Sequence, residues 1–216
     1  MQRKPRGVGM LKYENIKDEH GEFLVKLARK AIEEYVSKGN KISPPPDTPL
    51  LLKEKSGVFV TINKIVGKEE ELRGCIGFIL PVYPLVEATI DAAISAATRD
   101  PRFPPLSVEE LDKILVEVTI LTPPELIEVN FPDEYLEKIR IGRDGLIIEY
   151  RGYSGTLLPQ VPVEYGWDVK TFLEHLCWKA FLPKDCWRWS ETKIYRYQGI
   201  IFKELNPRGR IVRVEL

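Results

Sequence analysis

The sequence predicts an α+β fold, a mainly antiparallel sheet flanked by helices. Three observations carry that reading. Three segments, near residues 18–38, 84–98 and 168–180, repeat apolar residues at the helical period. Between them lie shorter stretches that alternate apolar and polar residues and are spaced as hairpins. The long strand–helix–strand alternation of a parallel sheet is absent.

Taken in order, residues 1–12 are polar and basic and read as a flexible tail. A long amphipathic helix follows from Asp18 to Lys38, with Phe23, Leu27, Ala31 and Tyr35 on one stripe and Leu24, Ala28, Ile32 and Val36 beside it. Gly39 stops it, and Ser43-Pro44-Pro45-Pro46 imposes an extended connector. Gly57-Val58-Phe59-Val60-Thr61-Ile62 and Leu72-Arg73-Gly74-Cys75-Ile76-Gly77 form the arms of a hairpin turned at Gly67-Lys68-Glu69-Glu70. A second helix spans Pro84 to Thr98, with proline suited to its first turn. Ser107 and Glu110 have capping-box spacing for a short helical turn. From Lys113 to Leu121 the pattern alternates, which predicts a half-buried strand.

Thr122-Pro123-Pro124 is the best candidate boundary. Beyond it come short segments parted by turn-rich Gly142-Arg143-Asp144-Gly145 and Arg151-Gly152-Tyr153-Ser154-Gly155, so residues 123–167 read as a smaller β-rich lobe. It is inserted in a larger lobe of residues 13–122 and 168–204. Asp168 caps the third strong helix, whose stripe of Val169, Phe172, Leu173, Leu176, Cys177 and Ala180 puts Cys177 in the core and leaves His175 at the edge. One last strand is expected from Thr192 to Lys203, then a second flexible tail over 205–216.

With 216 residues, the chain holds one domain or a larger and a smaller lobe. Lysine plus arginine equal aspartate plus glutamate at 32 each, so no net field draws the molecule to nucleic acid or an anionic membrane. Charged residues at 30% together with 17 prolines resemble a thermophile's composition. No signal-peptide core or membrane-spanning run is visible. The three cysteines, Cys75, Cys177 and Cys186, cannot all pair within one chain. Together these features predict an intracellular, cytoplasmic protein with reduced thiols.

The chemistry concentrates at Leu72-Arg73-Gly74-Cys75-Ile76-Gly77. Side chains alternate along a strand, so Arg73, Cys75 and Gly77 share one face, with glycines leaving backbone uncovered. That is a surface built to receive something. The plainer alternative is a bulged strand with a packed cysteine and an arginine paired to a carboxylate.

The hexapeptide resembles the signature of the AMME chromosomal region 1 protein family, the AMMECR domain. The likeness continues through Gly57-Val58-Phe59-Val60, Asp100-Pro101-Arg102-Phe103-Pro104-Pro105-Leu106, Leu158-Pro159-Gln160-Val161 and Phe172-Leu173-Glu174-His175-Leu176-Cys177, and covers residues 13–204. The resemblance implies a larger lobe, a smaller lobe and a cleft between them. It places Arg73, Gly74, Cys75, Gly77, Asp100, Arg102 and Gln160 along that cleft as ligand-binding candidates. It also implies a regulatory or accessory role, with Memo-like or radical-SAM proteins as partners by family association.

No phosphate loop, dinucleotide fingerprint, hydrolase elbow or zincin motif occurs. No metal site or cofactor is expected. The catalytic alternative is a nucleophilic or redox Cys75, activated by Arg73 and served by His175 as base. His20, at the start of the first helix, reads as a cap-region residue. Trp187-Arg188-Trp189 and Tyr195-Arg196-Tyr197 raise single-stranded nucleic-acid binding as a further alternative, though both aromatics of such a triplet normally face a core. The leading reading is a non-enzymatic module that binds a partner or small ligand at the Leu72–Gly77 strand.

Overall fold

The computed structural model describes residues 11–214. Of the two expected tails, residues 1–10 and 215–216 lie outside the described residues. The described chain divides into two compact units, one of residues 11–122 and 200–214 and the other of residues 123–199.

In the first unit, helix α1 spans Asp18–Lys38 and α2 spans Leu85–Thr98. The strands are β1 (Gly57–Val66), β2 (Glu69–Phe78) and β3 (Ile114–Leu121), joined after the second unit by β8 (Gly199–Glu204) and β9 (Ile211–Val214). They form one sheet in the order β2-β1-β3-β8-β9. β1 pairs antiparallel with both β2 and β3, and β8 pairs antiparallel with β9. The alternation of apolar residues decides which face is inner. Val58, Val60 and Ile62 of β1 and Ile114, Val116, Val118 and Ile120 of β3 are all fully buried in one cluster with α1 and α2.

Two expectations are corrected in this unit. β3 is buried on both faces, since Leu115, Thr119 and Leu121 are buried as well. It is the central strand of five, so the half-buried pattern expected of it does not hold. The segment after Leu205 is no free tail through its described part. Leu205 N–H donates to the Arg210 carbonyl and Gly209 N–H to that of Asn206, a turn that brings β9 back along β8.

A buried ion pair, unmarked in the sequence reading, ties the unit together. Arg29 of α1 forks onto both carboxylate oxygens of Glu204 in β8. Its remaining donors reach the carbonyls of Leu111 at 3.0 Å and Ile114 at 2.8 Å. Glu204 also accepts the Val116 N–H at 3.0 Å. Arg29 thus donates four hydrogen bonds and Glu204 accepts three, the kind of pairing that lets a charge stay in a core.

In the second unit β4 is Glu125–Leu126, α3 Tyr135–Lys138, β5 Gly145–Tyr150, β6 Tyr153–Leu157, α4 Gln160–Glu164, α5 Val169–Lys179 and β7 Lys193–Tyr197. The sheet order is β4-β7-β5-β6, antiparallel throughout. Here the structure departs from the lobe boundary read at residue 167. β7 pairs with β4 and β5 inside this sheet, and α5 packs on β5 and β6, so both belong with residues 123–167. The single last strand expected from Thr192 to Lys203 is two strands in two sheets, changing over at Gln198.

The expectation of reduced thiols is corrected too. Cys177 and Cys186 form a disulfide with Cα atoms 5.9 Å apart, inside the range such a bond spans. Cys177 lies on the buried stripe of α5 as expected, and the turn after that helix carries Cys186 back to it. Cys75 is the free cysteine. Among the described residues no helix is long and apolar enough to cross a membrane.

Candidate functional site

β2 is an edge strand, so one row of its backbone groups has no strand partner. The loop after α2 supplies the partners instead. Asp100 is buried beside β2, and its Oδ2 accepts the Cys75 N–H at 2.8 Å. Its Oδ1 accepts the Arg102 N–H at 3.1 Å, and the Arg102 guanidinium closes on both oxygens at 2.9 and 2.7 Å. The same Nη2 that donates to Asp100 Oδ2 also stands 3.5 Å from the Cys75 carbonyl. The Asp100–Arg102 pair therefore mimics a neighbouring strand at one residue of the edge. The Arg102 guanidinium hydrogen-bonded to Asp100 holds its carboxyl at about 2, against the rise that burial alone would cause.

Arg73 does not sit at the thiol. The β1–β2 register slips between Ile62, opposite Gly74, and Asn63, opposite Leu72, which leaves Arg73 as the extra residue of a bulge. The bulge breaks the alternation expected for Arg73 and Cys75. It sends the guanidinium to Glu110, where Nε and Nη2 donate to the two carboxylate oxygens at 3.0 Å each. Nη1 donates to the Pro104 carbonyl at 2.9 Å, and the group lies 5.9 Å from the Phe103 ring centroid. Lys64 Nζ and the Ser107 N–H also donate to Glu110, at 2.9 and 3.1 Å. These donors, Arg73 foremost, hold the Glu110 carboxyl at about 2.

Gly74 and Gly77 are glycines because of close packing. A Cβ on Gly74 would lie 2.2 Å from the Ala96 carbonyl oxygen of α2, and one on Gly77 would lie 2.2 Å from that of Val58. The uncovered backbone inferred from these glycines is covered by the fold itself.

Cys75 is half-buried, and Thr61, directly opposite on β1, donates its hydroxyl to Sγ at 3.4 Å. Burial pushes the thiol up, and the Thr61 hydrogen bond and the Arg102 charge offset this only in part. The thiol stays protonated at neutral pH, the opposite of an activated nucleophile.

The structure gathers Arg73, Gly74, Cys75, Gly77, Asp100 and Arg102 on one edge of the first unit. Gln160 and His175 belong to the second. Gln160 begins α4, and its side-chain oxygen is buried without a hydrogen-bond partner among the described residues. His175 is stacked on Trp167 with ring centroids 3.8 Å apart and meets Trp178 edge-on at 4.7 Å. His20 Nδ1 accepts the Lys17 N–H at the start of α1, a capping contact. No cluster of three or more metal-ligating side chains occurs among the described residues.

The aromatic triplets are part of the packing. Trp187 and Tyr197 are buried. Tyr197 donates its hydroxyl to the Leu157 carbonyl, and Arg188 covers Trp187 while pairing with Asp133 at 2.7 Å. Trp189 and Tyr195, the other aromatic of each triplet, are half-buried, with Trp189 edge-on to Tyr150.

The carboxylate that pairs with Arg73, left unnamed by the sequence, is Glu110. The capping-box spacing at Ser107 had already marked Glu110 as a carboxylate fixed near the loop. Its additional contact with β2 has no local signal.

A family model described as AMMECR1 matches residues 25–202. The protein PH0010 of Pyrococcus horikoshii is 60% identical over 202 residues, covering 93% of this chain and 98% of that one. The protein MJ0810 of Methanocaldococcus jannaschii is 58% identical over 198 residues, covering 92% and 96%. The crystal structure of the uncharacterised protein PH0010 superimposes with a TM-score of 0.88 over 93% of this chain and 99% of that chain.

Proposed function

As the chain belongs to the AMMECR1 family, we propose that it is a non-enzymatic binding module whose docking element is the clasped edge of β2. The observation that carries this reading is the division of labour at that edge. Arg73 and Asp100 are consumed by internal partners, whereas the Arg102 side chain remains 53% exposed above the Phe103 ring. A guanidinium held by a buried carboxylate on one side and open on the other suits recognition of an acidic or planar polar group. The protonated state of the Cys75 thiol supports binding over nucleophilic chemistry.

By family association the partner is a Memo-like or radical-SAM protein. Calorimetric titration of each purified partner tests this. Arg102→Ala is expected to weaken association about tenfold or more, equivalent to at least ~1.4 kcal/mol. Cys75→Ser is expected to leave it within about twofold, because no thiol chemistry is needed. Absence of binding by the unaltered protein, or activity that disappears with Cys75→Ser, would refute the proposal.

A further inference from the structure

A second surface, independent of the β2 edge, lies within the second unit. Tyr165, Trp167 and His175 form a run of parallel rings, with centroids 5.1 and 3.8 Å apart, that leads onto α5. Trp178 meets His175 edge-on one helical turn later. Phe181 follows just beyond the helix. The stripe is open to solvent, with Tyr165 68%, Trp178 52% and Phe181 91% exposed. Contiguous exposed aromatics of this kind mark association surfaces.

Phe181 supplies the sharper observation. α5 ends in a Schellman turn. The Leu182 N–H donates to the Cys177 carbonyl and the Phe181 N–H to that of Trp178. Phe181 occupies the left-handed position of that turn at φ 59°, where glycine is the unstrained residue. The fold thus holds a large ring in an unfavourable backbone conformation and leaves it almost wholly in water. Its own packing does not explain that choice.

The charges along α5 say what fits there. Its N-terminal half is flanked by Glu164, Asp168 and Glu174 with one lysine, Lys170. Its C-terminal end carries Lys179 and Lys184 with one aspartate, Asp185. One end is net acidic and the other net basic, so two copies laid antiparallel are charge-complementary. Glu174, next to His175, is midway in sequence between Trp167 and Phe181, so a twofold axis near this pair sets each Phe181 toward the other copy's ring stack. We propose that this face of α5 is a dimer interface, its occupant a second copy of the same chain.

Sedimentation equilibrium of the full chain tests this. The unaltered protein is expected to dimerise with a Kd on the order of 10 µM, as a small interface would. Phe181→Gly is expected to weaken dimerisation about tenfold or more. Below about 1 µM, where both proteins are monomers, the same change is expected to raise Tm by about 2–4 °C through relief of the left-handed strain. Trp178→Ala provides an independent second variant, expected to weaken dimerisation while retaining the fold. A protein monomeric to about 0.5 mM overturns the proposal. So does a dimer unaffected by both substitutions, or a lower Tm for the Phe181→Gly monomer.

Discussion

Replacing Glu110 with glutamine removes the charge that fixes Arg73 while keeping the side chain's shape. The two side chains are 11% and 16% exposed, which places the pair between the surface and the interior. Surface pairs contribute under about 1 kcal/mol, and breaking a buried one costs roughly 3–5 kcal/mol. The Glu110 carboxyl is lowered from 4.5 to about 2 by Arg73, with help from Lys64 and the Ser107 N–H. At ~1.4 kcal/mol per unit that shift corresponds to roughly 3 kcal/mol, or about 2 kcal/mol after allowance for solvent screening. A depressed carboxyl stabilises the fold fully above its unfolded value and loses that effect as pH falls through its folded value. The Glu110 contribution is therefore complete above 4.5 and fades toward about 2. Guanidinium unfolding of the unaltered protein and Glu110→Gln should differ by about 2 kcal/mol near pH ~7 and by only a few tenths near pH ~2. Asp100, also held at about 2, loses its own contribution in the same range in both proteins, so it cancels in the difference. Arg73→Ala combined with Glu110→Gln should show coupling of about 1 kcal/mol or more, and combined with Asp100→Asn should be additive within about 0.5 kcal/mol. A gap that does not change with pH, or coupling to Asp100 in place of Glu110, would refute the assignment.

Two further outcomes are expected. Arg29→Met and Glu204→Gln should each destabilise by roughly 3–5 kcal/mol in denaturant unfolding, because each strands a buried charge or its donors, and a cost under about 1 kcal/mol would show that water reaches the pair. Unfolded without reductant, the protein should titrate one thiol, Cys75, and after reduction all three cysteines. Three thiols before reduction would contradict the Cys177–Cys186 bond.

What the sequence disclosed follows from where each signal resides. α1, α2, α5 and the β1–β2 hairpin were legible because their burial is periodic along the chain. The change of sheet at Gln198 was not, because β7 and β8 together read as one alternating strand and the break between them is set by their partners. β9 reads as tail in the sequence because a strand of four residues, stabilised by pairing, carries little periodicity. Arg29 carried a faint signal, since it sits in the row Val25, Arg29, Ile32 between two buried residues. At the site, the sequence singles out residues whose long-range contacts it does not show. Asp100 to Cys75 and Arg73 to Glu110 are contacts across 25 and 37 residues, made possible by a bulge and a loop that no spacing rule predicts.

The order of strands in the first unit bears on how the chain folds. β3 and β8 are hydrogen-bonded neighbours, yet the whole of residues 123–198 lies between them in sequence. Pairing them in an unfolded chain means closing a long loop, whose entropic cost grows with length at about 0.6 kcal/mol per doubling. If that loop first folds on its own core, its ends are drawn together and the cost falls. Residues 123–199 are then expected to become protected from exchange before β8 docks, and the Arg29–Glu204 pair, which needs β8, to form last.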